Sequence, residues 1–183
     1  MRTIALLLML CSVALSQDSA LKPAEQDATA LKVMKEFSFV LGTWRPVQPA
    51  DKSAKYVEDY SFEPILDGRF VASQELYKSP DGKVLYRDFV VYGVDPDTGK
   101  LFLHAYNTDG SIDRTRAVDS PGGKWIFEGT VFGSKRFRDY RYTLSKVDDN
   151  HLGVLIELKK DGTYEKYSEK TYGRISEKGE VLQ

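Results

Sequence analysis

The sequence predicts an all-β fold: an antiparallel up-and-down β-barrel of about ten strands, with an N-terminal helix closing one end. Three observations lead there. From Gly42 onward the 183-residue chain falls into short segments with the period-2 alternation of strands. Tight-turn clusters rich in Gly, Asp, Asn and Pro separate them, and such clusters join antiparallel neighbours. Before Gly42 the apolar residues recur at helical spacing instead, as Leu31, Met34, Phe37 or Ser38, and Leu41. A meander of this many strands closes on itself because closure removes exposed edges.

Taken in order, residues 1–16 have the form of a signal peptide. Met1-Arg2-Thr3 is a short basic start, Ile4 to Leu15 is weakly polar to apolar throughout, and Ala14-Leu15-Ser16 offers small residues for cleavage after Ser16. The run is too short for a stable membrane span, so no transmembrane segment is expected after cleavage. Residues 17–41 form a solvated leader and a helix over Ala24 to Leu41. Residues 42–175 form the barrel, and 176–183 a polar, frayed tail.

Within the barrel the strands read as Gly42 to Val47, Tyr56 to Ile65, Arg69 to Tyr77, Val84 to Val94 and Lys100 to Tyr106. They continue as Ser111 to Val118, Lys124 to Phe132, Lys135 to Val147, Leu152 to Lys159 and Thr163 to about Arg174. Asp67-Gly68, Ser79-Pro80-Asp81-Gly82, Asp95 to Gly99, Thr108-Asp109-Gly110 and Lys160-Asp161-Gly162 mark the sharpest turns. Gln48 to Lys55 is the longest loop. A barrel of eight to ten strands is wide enough to hold a small ligand.

Composition narrows the function. The chain is 42% hydrophobic and 29% charged, with 26 Lys and Arg against 27 Asp and Glu. Signal removal takes Arg2 and no acid, so the balance stays slightly negative and nucleic acid is not an expected partner. Lys135 to Tyr142 interleaves cations with aromatics, but strand alternation splits those cations between two faces. The single cysteine, Cys11, lies inside the signal, with Leu10 where a lipoprotein signal needs a small residue. The exported chain therefore has no disulfide, thiolate metal site or cysteine nucleophile, and it is expected to be secreted or periplasmic.

Leu41-Gly42-Thr43-Trp44 resembles the opening signature of lipocalin-like barrels, the calycins, in which the indole plugs the closed end. With Ile65-Leu66-Asp67-Gly68-Arg69-Phe70, Tyr92 to Lys100 and Thr171-Tyr172-Gly173-Arg174, the chain resembles a family of exported bacterial proteins of unknown function with a calycin-like, nitrobindin-like barrel. The resemblance implies the fold and places a lid over the open end at the loop Gln48 to Lys55. Nitrobindins hold haem through a histidine near the C-terminal end, so haem is raised as a ligand. The last strand here has no histidine, and His151 follows Asp148-Asp149-Asn150 at a hairpin tip, so no cofactor is expected.

Alternation groups Phe102, His104 and Tyr106 on one face of their strand and Leu101, Leu103 and Ala105 on the other, without saying which is inside. The mixed aromatic and polar face suits a ligand cavity, which would add Tyr92 and Tyr140 as wall residues. Arg69, Arg138 and Arg174 lie in strands, where an inward guanidinium clamps a carboxylate and an outward one pairs across strands. Glu128 is either a carboxylate with raised pKa or a surface acid. Asp95 to Gly99 starts like a calcium loop but has Tyr106 where the bidentate Glu belongs, so a hairpin turn is expected and no metal. The common hydrolase, metalloprotease and nucleotide signatures are absent from the sequence.

The expected function is binding of a small, mostly apolar molecule in the interior, with Arg69, Tyr92, His104, Tyr106, Arg138 and Tyr140 as ligand-binding residues. Two alternatives stand beside it. One is an enzyme, isomerase-like or hydrolytic, with His104 as base; the other is a structural envelope protein whose barrel is filled.

Overall fold

A computed structural model describes residues 23–47, 56–119, 121–134, 138–176 and 181, with side chains from Asp27 onward. The expected signal peptide, the start of the leader and the loop Gln48 to Lys55 lie outside the described residues.

Helix α1 spans Pro23–Phe37 and continues as a single 3-10 turn, Ser38–Val40. Proline suits the first helical position, where its missing N–H would have no partner anyway. The helix buries Met34, Phe37 and Val40, whereas Leu31 is half exposed. Of the expected stripe, Met34, Phe37 and Leu41 pack on the core, Leu31 does not, and the 3-10 turn adds Val40.

The strands are β1 Gly42–Pro46, β2 Val57–Ile65, β3 Phe70–Lys78, β4 Val84–Val94, β5 Leu101–Asn107, β6 Ile112–Asp119, β7 Lys124–Phe132, β8 Asp139–Lys146, β9 His151–Lys160 and β10 Thr163–Arg174. Each pairs antiparallel with its neighbours in sequence, and β1 also pairs with β10, so the sheet is a closed ten-stranded barrel. This is the all-β up-and-down architecture expected, and it is consistent with a calycin-like fold. Strand β8 starts later than the alternation suggested, at Asp139; the basic residues Lys135 and Arg136 lie outside the described residues. The tail is not wholly frayed. Val181 forms a bridge with Ile175 and packs over Gly173, where a β-carbon would meet its Cγ1 at 2.3 Å.

Register decides which face is inside. Tyr92, Leu103, Thr115, Gly129, Tyr140 and Leu158 are successive cross-strand partners, a row around much of the barrel on its inner face. Gly129 occupies its place in that row because a β-carbon there would lie 2.1 Å from the Arg114 carbonyl oxygen and 2.6 Å from Thr115 Cα. The bare glycine lets β7 bend tightly against β6, as barrel closure requires.

One end of the interior is packed solid. Phe37 enters from the helix and meets the rings of Tyr92 at 4.9 Å, Trp125 at 6.0 Å and Phe127 at 6.4 Å. Phe37 thus plugs this end from the helix. Trp44, 1% exposed and in the same core, donates from Nε1 to the Val40 carbonyl at 2.7 Å. Gly129→Ala is expected to cost about 1–3 kcal/mol through forced backbone movement, and Trp44→Ala about 3–5 kcal/mol through the cavity it leaves. Urea unfolding of the two variants against the parent protein measures both.

Candidate functional site

Away from the plug the barrel is not filled. A cavity of about 530 Å³ opens at the end where β3 meets β4, β5 meets β6 and β9 meets β10. Its volume lies in the range of small-molecule pockets. Nine tyrosines contribute to its lining, against few aliphatic residues (Val90, Leu103, Ala105, Val154 and Ile156).

The floor is a cluster of phenols. Tyr60 on β2 reaches Tyr142 on β8 with 2.6 Å between hydroxyl oxygens, and Tyr92 on β4 with 3.2 Å. All three are buried, and burial, which penalises the phenolate, pushes their pKa values up and keeps them neutral. Below the floor lies the aromatic plug; above it the walls turn acidic.

Four carboxylates point inward from four strands. Glu58 on β2 accepts the Tyr172 hydroxyl and the Lys170 ammonium, the latter at 2.5 Å. Glu75 on β3 accepts the Tyr77 hydroxyl at 3.0 Å. Asp88 on β4 accepts the Glu75 backbone amide at 2.7 Å. Asp113 on β6 accepts the Tyr140 hydroxyl and the Asn107 amide, each at 3.1 Å. Asn107 in turn accepts the Tyr86 hydroxyl at 2.8 Å. Among the described residues lining the cavity, Lys170 is the only cation.

Desolvation dominates the acid-base behaviour of this cluster. Burial, then the neighbouring Asp88 and Glu58 carboxylates, raise the Glu75 pKa well above the ordinary value. Burial pushes Asp88 to about 7, opposed by the Glu75 amide. Asp113 is also raised by burial, with the Tyr140 and Asn107 hydrogen bonds pulling the other way. The inner wall can therefore hold protons near neutrality, and it can compensate an incoming positive charge.

Of the residues expected to bind a ligand, the structure brings together Tyr92, in the floor, and Tyr140, in the wall. The other four are placed elsewhere. Arg69 is in the turn after β2 at the closed end, paired with Asp27 of α1 at 2.6 Å. Arg138 is exposed in the segment before β8. His104 and Tyr106 are on the outer face: His104 stacks on Phe102 at 4.8 Å between ring centres, and Tyr106 is 50% exposed. The cause is register. Tyr92 pairs with Leu103, so an inward Tyr92 turns Leu101, Leu103 and Ala105 inward and His104 out.

A His104 base acting in the interior is thus corrected as well. Its pKa is lowered by partial burial and by the flanking cations of Arg114 and Arg116. Glu128 is a surface acid, held by Arg141 through contacts of 2.9 and 2.6 Å. Arg174 stacks on Trp44 and caps carbonyls at the closed end, away from the cavity. His151 starts β9 and bonds the Asp148 carboxylate at 2.9 and 2.8 Å. Among the described residues, no three His, Cys, Asp or Glu side chains are grouped closely enough to hold a metal ion. No helix among them is long and apolar enough to cross a membrane.

Sequence reasoning missed Glu58, Glu75, Asp88, Asp113 and Lys170. A signal for most of them was present in their parity: Asp88 alternates in step with Tyr86, Val90 and Tyr92, Glu75 with Ser73 and Tyr77, and Lys170 with Tyr172. Charged residues in step with buried aromatics mark a polar interior.

Because the folded protein holds a proton on Asp88 and Glu75 that the unfolded chain releases, stability is expected to rise as pH falls from 8 to 6.5, above the range in which His104 titrates. Asp88→Asn keeps the acceptor for the Glu75 amide and removes the charge. It is expected to gain about 1–2 kcal/mol at pH 8, less at pH 6.5, allowing for the open mouth of the cavity. Thermal melts of both proteins at the two pH values measure this. Comparison with protein-family models and with curated proteins finds no match to the chain.

Proposed function

We propose that this protein binds a small molecule in the open half of its barrel, outside the cytoplasm, after removal of residues 1–16. The observation that carries this reading is the cavity of about 530 Å³, left open between tyrosine-rich walls while the other end of the same barrel is packed solid. A chain selected only for stability gains by filling such a volume, since each buried methylene adds about 0.8 kcal/mol. It gains again by not desolvating four carboxylates. Both sacrifices together fit a binding site.

The ligand's character follows from the lining. Tyrosine faces supply broad, rigid contact for a flat or aliphatic body, and the carboxylates and hydroxyls supply the orienting groups. A mostly apolar ligand leaves those acids without partners, so the expectation from sequence is revised to an amphipathic molecule. Its apolar part rests on Tyr60, Tyr142 and Val154, and its polar part on the acidic wall. The filled-barrel alternative has little support beside a cavity of this size.

Native mass spectrometry of protein exported through its own signal is the test. The expected result is a chain beginning at Gln17 with one co-purifying small molecule. The molecule should be absent from Ala105→Trp, whose indole would occupy the cavity from the middle of β5. An Ala105→Trp variant that retains the same molecule places it outside the barrel and ends this reading.

A further inference from the structure

Resting on the interior-binding reading, we infer that the bound molecule is an organic cation, a protonated amine or amidine, whose charged group sits against Glu75, Asp88 and Asp113 while its body lies on the tyrosine rings. The argument begins with charge. Three carboxylates, Glu75, Asp88 and Asp113, line the cavity, and the one cation among its described lining residues, Lys170, is paired with Glu58 at 2.5 Å. Glu75, Asp88 and Asp113 form no ion pair among the described residues. Isolated carboxylates in a partly desolvated wall are costly unless a cation or a proton compensates them.

The hydrogen-bond inventory points the same way. The phenolic donors near the acids are already used: Tyr77 on Glu75, Tyr140 on Asp113, Tyr172 on Glu58 and Tyr86 on Asn107. Among the described residues no side-chain hydrogen bond to Asp88 is seen; its carboxylate is held by backbone amides, the Glu75 amide at 2.7 Å. What the wall lacks is donors carrying positive charge. An ammonium or amidinium group brings both.

The tyrosine walls add a second element, because aromatic faces attract a desolvated cation. An anionic molecule would find the acidic wall opposing it and one cation, Lys170, and a neutral one would leave the acids to be compensated by protons alone.

Three probes of similar shape separate these cases: phenethylamine, the neutral 2-phenylethanol and the anionic phenylacetate. Each is titrated at pH 8 by ligand-observed NMR against the parent protein, the Asp88→Asn, Glu75→Gln double variant and Ala105→Trp, with near-ultraviolet circular dichroism confirming that each variant is folded. The expected result is that phenethylamine binds about tenfold or more tightly than 2-phenylethanol. The double variant should erase that margin, and Ala105→Trp should abolish binding. Equal or tighter binding of the alcohol or the carboxylate, lost in Ala105→Trp, overturns the cation while leaving interior binding in place. An amine preference that survives in the double variant also overturns it. Absence of any binding that depends on Ala105 overturns the proposal, and bare protein in the native mass spectrum then overturns interior binding too.

Discussion

The structure depends on the way Trp44 and Arg174 close the barrel. Trp44 of the first strand lies opposite Arg174 of the last, whose guanidinium stacks over the indole at 4.2 Å. The same guanidinium donates to the carbonyls of Leu41 and Phe39, and the indole N–H donates to that of Val40. Three backbone acceptors at the end of the helical segment, which would otherwise be orphaned, are satisfied by the two strands that form the seam. Closing the sheet and docking the helix are therefore one event. Gly42 makes it possible, because a β-carbon there would lie 2.5 Å from an Arg174 nitrogen.

Everything else follows from having one end sealed. With Phe37 seated among Tyr92, Trp125 and Phe127, the apolar side chains of the inner face are largely consumed near the helix. The hydroxyls of Tyr60, Tyr92 and Tyr142 form the boundary. On their ring side they belong to the core, and on their oxygen side they face a polar space. Beyond them, Glu75, Asp88 and Asp113 are aligned by phenols and amides, and Glu58 by the Lys170 ammonium and the Tyr172 hydroxyl. Such an arrangement preorganises negative charge at a cost in stability, a trade met in proteins where function sets the interior.

The outer face explains why the sequence misled on the site. Phe102, His104 and Tyr106 look like a pocket lining because aromatic and polar residues alternate with small aliphatic ones. In the fold they belong to an aromatic cover: Phe70 and Phe102 lie over Gly93, where a β-carbon would come within 2.7 Å of both rings. A strand with apolar residues on both faces gives no period-2 contrast to choose between them. Tyr92 and Tyr140 line the cavity, but Tyr92 and His104 cannot share a face once Tyr92 pairs with Leu103.

The sequence by itself determined the architecture: the alternating segments, the turns at Asp67-Gly68, Asp95 to Gly99 and Asp161-Gly162, and the change of period at Gly42 specify a helix followed by an antiparallel meander. These signals are local, since turn chemistry and alternation act between residues a few positions apart. Tertiary structure alone decided the interior. Which face of each strand is inside depends on pairing between distant segments, and the acidic cluster draws Glu58, Glu75, Asp88, Asp113 and Lys170 from five strands, with Lys170 of β10 brought to Glu58 of β2 by the closure of β1 on β10. A carboxylate on a strand reads as a surface residue until closure removes its water.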